Sequence, residues 1–155
     1  MNKKNVTPDE FNKFVQNIKI QNIVLDKLQV SIDREGLSKK KHGGLPVLLQ
    51  EEISSPFIID ESQGIFGVSH KVRFRTKVHR KIVMRIDSVF TAIYKVSPPD
   101  LLKNDYLEIF ASTNPRLHIW PYQRELLQSL TTRMGLPPFV LPPMIFIPES
   151  EQDKI

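Results

Sequence analysis

The chain has 155 residues with 22 Lys and Arg against 17 Asp and Glu, a formal net charge of +5, and no cysteine. Disulfides, thiolate metal sites and cysteine nucleophiles are therefore excluded, and the length suffices to bury a core in a single domain over residues 1–155. No apolar run approaches the roughly 20 residues of a membrane span, and the polar start MNKKNVTPDE has no signal-peptide core, so a cytoplasmic protein without membrane insertion is expected.

Thr7-Pro8-Asp9-Glu10 has the form of a capping box with proline at the first helical position. It predicts a short helix over about residues 8–17. Phe11, Phe14, Val15 and Ile18 give that helix one apolar side, to dock on the domain or on a sister subunit. From Ile18 to Ile32 the pattern turns to alternation, with a slip at Gln21-Asn22. A long strand with a bulge there and one buried face is expected. Residues 33–44 (DREGLSKKKHGG) read as a polar loop whose KKKH run is solvated.

Between residues 45 and 59, Pro46-Val47-Leu48-Leu49 and Phe57-Ile58-Ile59 flank a charged centre. This is either a short edge strand in the core or a crossover between strands. Residues 64–96 exceed ordinary strand length, which predicts a hairpin turning at His79-Arg80-Lys81. Before the turn Val72, Phe74, Thr76 and Val78 alternate with Arg73, Arg75 and Lys77, so one face is apolar and the other basic. After Asp87 the run of Val89, Phe90, Ala92, Ile93 and Tyr94 suggests burial on both faces.

Pro98-Pro99-Asp100 opens a helix carrying Leu101, Leu102, Tyr106, Ile109 and Phe110, closed by residues 112–115. A further helix is expected from Pro121 to a left-handed Gly135, with Leu126, Leu127, Leu130 and Met134 on its buried side. Beyond it, prolines at 137, 138, 142 and 143 among Leu136, Phe139, Val140, Leu141, Met144 and Phe146 predict an extended tail over about 136–148.

The chemistry of catalysis is not visible. His42, His70, His79 and His118 lack metal-ligand spacing, no glycine-rich loop could cradle phosphate, and no serine has a nucleophile-elbow context. Neither a metal, a cofactor nor an enzymatic activity is expected. Arg124-Glu125, at a helix start, reads as a surface or subunit contact.

Trp120-Pro121-Tyr122, Arg124-Glu125, Thr132-Arg133 and Leu136-Pro137-Pro138 followed by Leu141 and Pro143 resemble the SecB family of export chaperones and SecB-like proteins. The resemblance implies an α+β fold, a four-stranded antiparallel sheet packed with C-terminal helices plus a short N-terminal helix. It also implies an ATP-independent holdase that assembles as a homotetramer, a dimer of dimers, and takes unfolded polypeptide into apolar grooves. By position, the client-binding residues would be Leu48, Phe57, Ile59, Trp120, Phe139, Leu141, Met144 and Phe146.

Export members of that family present carboxylates to the translocation motor SecA. Here Asp26 is the only carboxylate between Leu25 and Ser31, and the turn from Lys77 to Lys81 is basic. SecA docking is therefore expected to be weak or absent. A dedicated chaperone of the antitoxin in a toxin–antitoxin pair is the alternative role. A further alternative is nucleic-acid binding by the basic face Arg73, Arg75, Lys77, Arg80, Lys81 and Arg85, against which stands the placement of Phe74 on the opposite face. A purely structural assembly protein on the same fold is a third class.

Overall fold

A computed structural model of the chain describes residues 6–144. In order these form α1 (Pro8–Gln16), β1 (Ile18–Ile32), α2 (Arg34–Ser38), β2 (Val47–Ile53), β3 (Phe57–Asp60), β4 (Ile65–Val78), β5 (Lys81–Val96), a 3-10 turn at Pro99–Leu101, and α3 (Asn104–Arg133).

The long hairpin of β4 and β5 sets the frame. Its two-residue turn has positive φ at both His79 (48°) and Arg80 (67°). That geometry matches the right-handed twist of the flanking strands, so the arms stay paired from Val78↔Lys81 to Ile65↔Lys95. β1 pairs antiparallel with β5, while β2 and β3 both pair with β4, giving the order β1-β5-β4-β2. The fourth position of the expected sheet is thus filled by two segments. Pro56 has no N–H to continue the ladder, and Ser54 holds the break by donating its N–H to Ser69 O at 2.9 Å. Residues 45–59 form edge segments, but outside the core, since no residue of β2 or β3 is buried, and they follow a crossing of the chain from the β1 edge to the opposite edge of the sheet.

Local chemistry fixes the smaller elements. The capping box at Thr7 and Glu10 is formed, with the Glu10 N–H donating to Thr7 Oγ1 at 3.4 Å. β1 slips register between Ile20 and Asn22 as expected, and again between Leu25 and Lys27. The polar stretch after β1 is not all loop, because Asp33 Oδ1 accepts the Gly36 N–H at 2.9 Å and caps α2. Gly36 is required there. A Cβ at that position would lie 2.7 Å from Val83 Cγ1.

One face of the hairpin is buried and carries Phe66, Val68, Val72 and Phe74 on β4 with Ile86, Phe90, Ala92 and Tyr94 on β5. α1 and the first turns of α3 cover one end of that face with rings. Phe110 meets Phe66, Tyr94 and Phe14 edge-on at 5.8, 5.0 and 6.2 Å, and Phe14 also meets Tyr106 at 5.4 Å. Such tilted contacts add to the large area each ring removes from water. The expected burial on both faces after Asp87 is not found, since Val89 and Ile93 remain half-exposed and only Thr91 on that side is buried. The two-residue alternation persists because the helices cover one side of the sheet.

β1 differs from expectation in the other direction. Its apolar residues do share the core face, with Leu25 opposite Phe90 and Val30 opposite Ile86. Yet Ile20, Leu25, Leu28 and Val30 are between 38% and 45% exposed. An edge strand has a neighbour on one side only, and a single chain leaves this row uncovered.

The two expected C-terminal helices are one. α3 runs 30 residues and contains Pro115 and Pro121 in its interior. Each interior proline costs about 3 kcal/mol against alanine, but the residues around Pro115 offset it, because Phe110, Ala111 and Ile119 are all buried. Gly135 (φ 74°) ends α3 as expected, with its N–H donating to Thr132 O at 3.0 Å and the Leu136 N–H to Thr131 O at 3.1 Å. No helix among the described residues is long and apolar enough to cross a membrane.

The chain divides into two compact units at Ile119/Trp120, within α3. In the second unit the buried line is Trp120, Gln123, Leu127, Thr131 and Met134, rotated from the expected one, since Leu126 and Leu130 are only half-buried. The tail of the same unit is tied to the helix. Phe139 N–H donates to Thr131 Oγ1 at 2.9 Å and the Trp120 indole to Pro142 O at 2.8 Å.

Arg80 pays for its side chain with an unfavourable φ. Arg80→Gly is expected to stabilise the protein by about 1 kcal/mol, raising Tm by about 2–4 °C. Thermal unfolding followed by circular dichroism measures it, and a lower Tm would refute the strain.

Candidate functional site

The face of the sheet opposite the aromatic cluster is where the exposed groups gather. Alternation and register put Leu48 (opposite Arg75) and Phe57 (opposite Gly67) on this face with Lys71, Arg73 and Arg75. Leu48, Phe57 and Ile59 are between 41% and 50% exposed. Phe57 has a built seat: a Cβ on Gly67 would fall 2.6 Å from the Phe57 ring, so only glycine leaves room for the ring to lie on the sheet. Gly67 pairs with Ile93 on its other side, which extends this apolar end across three strands. Ile58, which the sequence did not single out as a client residue, is exposed as well, but register with Phe66 puts it on the covered side of the edge. The signal was present in Phe57-Ile58-Ile59, but burial cannot be read from three apolar residues in a row.

Toward the turn the same face becomes charged. Arg75 Nη1 lies 2.6 Å from Asp87 Oδ1 and Arg73 Nη2 lies 3.4 Å from Glu52 Oε2, while Lys81, which register places opposite the core-facing Val78 and so off this face, lies 3.2 Å from Asp33 Oδ2. Register brings Arg73, Arg75 and Arg85 together, with Arg75 directly opposite Arg85. Carboxylates interrupt the stripe that the sequence presents as basic. Among the described residues Lys77, Arg80 and Arg85 have no acidic partner. Between the apolar and charged ends a polar row crosses the sheet. Thr91 Oγ1 donates to Asp26 Oδ2, Ser69 Oγ lies 2.8 Å from Thr91 Oγ1, and Ser69 N–H donates to Ser54 Oγ at 2.9 Å. Asp26 is therefore occupied within the chain.

On the covered face a clamp joins α3 to the edge strand, and nothing in the sequence announced it. Arg116 holds Glu51 in bidentate fashion, Nε to Oε2 at 2.8 Å and Nη2 to Oε1 at 2.9 Å, and His70 Nε2 stands 3.1 Å from Glu51 Oε2. Burial raises the Glu51 pKa, but its bonds to Arg116 and His70 outweigh that and leave the carboxyl below its usual value. Burial lowers the pKa of His70, with Glu51 opposing. His118 is likewise lowered by burial, and its Nδ1 lies 2.9 Å from the Tyr94 hydroxyl, whose own pKa burial raises.

The remaining expected client residues belong to the second unit. Trp120 is 7% exposed and Leu141 fully buried, so these two form its interior and offer no surface to a client within the chain. Their burial follows from the tail folding back onto its own helix through the Trp120 and Thr131 bonds. Phe139 and Met144 are half-buried, and Phe146 lies outside the described residues.

No family model matches the sequence, and no curated protein matches it. The fold does have a counterpart. The SecB-like chaperone of Mycobacterium tuberculosis, solved in complex with a ChAD peptide from the HigA1 antitoxin, superimposes with a TM-score of 0.72. The match covers 90% of this chain and 99% of that one at 22% identity. A protein of unknown function from Streptococcus agalactiae reaches a TM-score of 0.40 at 11% identity, covering 81% of this chain and 96% of that one, too weak a likeness to bear on the fold. The chain thus has a SecB-like α+β fold, the one expected from the Trp120–Pro143 motif.

The buried His70 and the half-buried His118 make stability pH-dependent. Their folded pKa values lie below the ordinary histidine value of about 6.5, so the unfolded chain binds more protons and stability is lost as pH falls from there. The urea midpoint is expected to drop between about pH 7 and about pH 5, and to drop less in His118→Phe. An unchanged midpoint in the parent protein would contradict the neutral state of the buried His70 and the half-buried His118.

Proposed function

We propose that this protein is a SecB-like chaperone that holds non-native polypeptide, without ATP and without catalysing a reaction. The observation that carries the reading is the exposed apolar set Leu48, Phe57, Ile58 and Ile59 on two segments that pair with β4 alone. The outer backbone edge of β2 and β3 is open, so an extended client can add to it by main-chain hydrogen bonds while its apolar side chains meet these residues. Phe139, Met144 and Phe146 remain candidates for further client contacts. That a chaperone of the same fold was solved holding an antitoxin peptide supports a dedicated client, an antitoxin, as the finer form of this function.

Two other expectations take their place around it. SecA docking is weak or absent on this reading, because Asp26 is bonded to Thr91 and the turn beyond Lys77 is basic. Nucleic acid is disfavoured, since Arg73, Arg75 and Lys81 are already paired with carboxylates. The exposed apolar row on β1 suits a second copy of the chain, in keeping with a homo-oligomer built as a dimer of dimers in the cytoplasm.

Purified protein is expected to suppress aggregation of an unfolded client, and Leu48→Asp/Phe57→Asp to weaken that by about tenfold without changing the Tm by more than a few degrees. Full activity in this variant would sink the assignment of the β2–β3 edge. For assembly, Leu28→Asp is expected to shift the protein to a smaller species in light scattering; an unaltered mass would exclude β1 from the interface.

A further inference from the structure

The expected loop of solvated lysines has a place in the fold. Lys39, Lys40, Lys41 and His42, just past α2, meet Lys77 and His79 at the β4–β5 turn around a cleft of about 600 Å³. Pro46 and Val78 complete the lining, and no carboxylate is part of it. The walls have backbone reasons to be where they are. α2 is fixed by its Asp33 cap, Lys40 N–H donates to Leu37 O at 3.1 Å, and Gly43 (φ 80°) and His79 (φ 48°) take left-handed conformations.

The charge of this cleft is largely uncompensated. Lys39 has an exposed i,i+4 partner in Glu35 at 3.3 Å, which is worth little, and Lys40 Nζ donates to Gly44 O. Lys41, His42, Lys77 and His79 have no ion pair among the described residues. Elsewhere on the sheet Arg75 is paired with Asp87 on side chains shielded from water, whereas the pairs of Arg73 and Lys81 are exposed like that of Lys39.

We infer that the cleft takes the acidic part of an extended polypeptide whose apolar part lies along β2. The inference rests on the chaperone reading and gives the client a composition. Pro46 lines the cleft and directly precedes β2, and Leu48 stands exposed two positions on. A client strand added to the open edge advances about 3.3 Å per residue. Carboxylates about two to four residues beyond an apolar anchor at Leu48 therefore reach the lysines. The lining contains no Phe, Tyr or Trp on which a base could stack, which favours a carboxylate over a nucleotide.

The test compares two labelled peptides by fluorescence anisotropy with the full-length protein. Both carry the same apolar core, followed by glutamates in one and glutamines in the other. The glutamate peptide is expected to bind about tenfold more tightly at low salt, from several exposed pairs of modest strength, with the advantage shrinking as salt rises. Lys41→Glu/Lys77→Glu should abolish the advantage and leave the glutamine peptide's affinity unchanged, whereas Leu48→Asp should weaken both. Equal binding of the two peptides by the parent protein would overturn this inference and leave the holdase reading intact; binding of neither would overturn both. A random single-stranded oligonucleotide whose binding depends on Lys41 and Lys77, with no glutamate advantage, would overturn it in favour of nucleic acid.

Discussion

Every functional feature of this chain depends on the two-residue alternation of the β4–β5 hairpin. From Phe66 to Phe74 and from Ile86 to Val96, one side chain in two enters the core and its neighbour turns away. The inward set is bulky enough to seat Phe14, Tyr106 and Phe110 as an aromatic cluster on one end of the sheet. Since helices cover only that side, the outward set is free to carry chemistry. A one-residue slip in register would exchange the two sets, so the same constraint that holds the core also places the open face.

The two edges of the sheet differ in the side their apolar residues occupy. On β1 the exposed row shares the core face, where it continues a buried surface that a single chain does not finish. On β2 and β3, Leu48 and Phe57 stand on the open face, Phe57 on the bare backbone of Gly67. The first arrangement suits a permanent subunit contact. The second suits a shallow platform with an open backbone edge, the kind of surface that binds extended chains with little demand on sequence.

Charge sharpens that division. Arg116 and Glu51 fasten α3 to the β2 edge on the covered face, so the strand that carries Leu48 is held from behind. On the open face Asp87 and Glu52 pair with Arg75 and Arg73, and near the turn Lys41 and Lys77 have no ion pair among the described residues. A sheet with a basic end selects its encounters by charge, because long-range fields act before any contact is made.

The sequence by itself determined what local chemistry controls. The capping box at Thr7, the bulge after Ile20, the turn at His79-Arg80, the left-handed Gly135 and the alternation of β4 are each specified by a few neighbouring residues, and each is present. The family motif near Trp120 pointed to the fold for the same reason, being a contiguous run. Only the tertiary structure decided what burial depends on. Pro115 and Pro121 read as helix boundaries, yet α3 continues through both, because packing outweighs the lost hydrogen bonds. Trp120 and Leu141 looked like groove and are interior, whereas the β1 row looked like core and is exposed. The Glu51–Arg116 clamp and the lysine cleft join residues far apart in the chain, and such pairings leave no periodicity to read. Apolar character states that a side chain avoids water; which surface covers it is settled only when all strands and helices are in place.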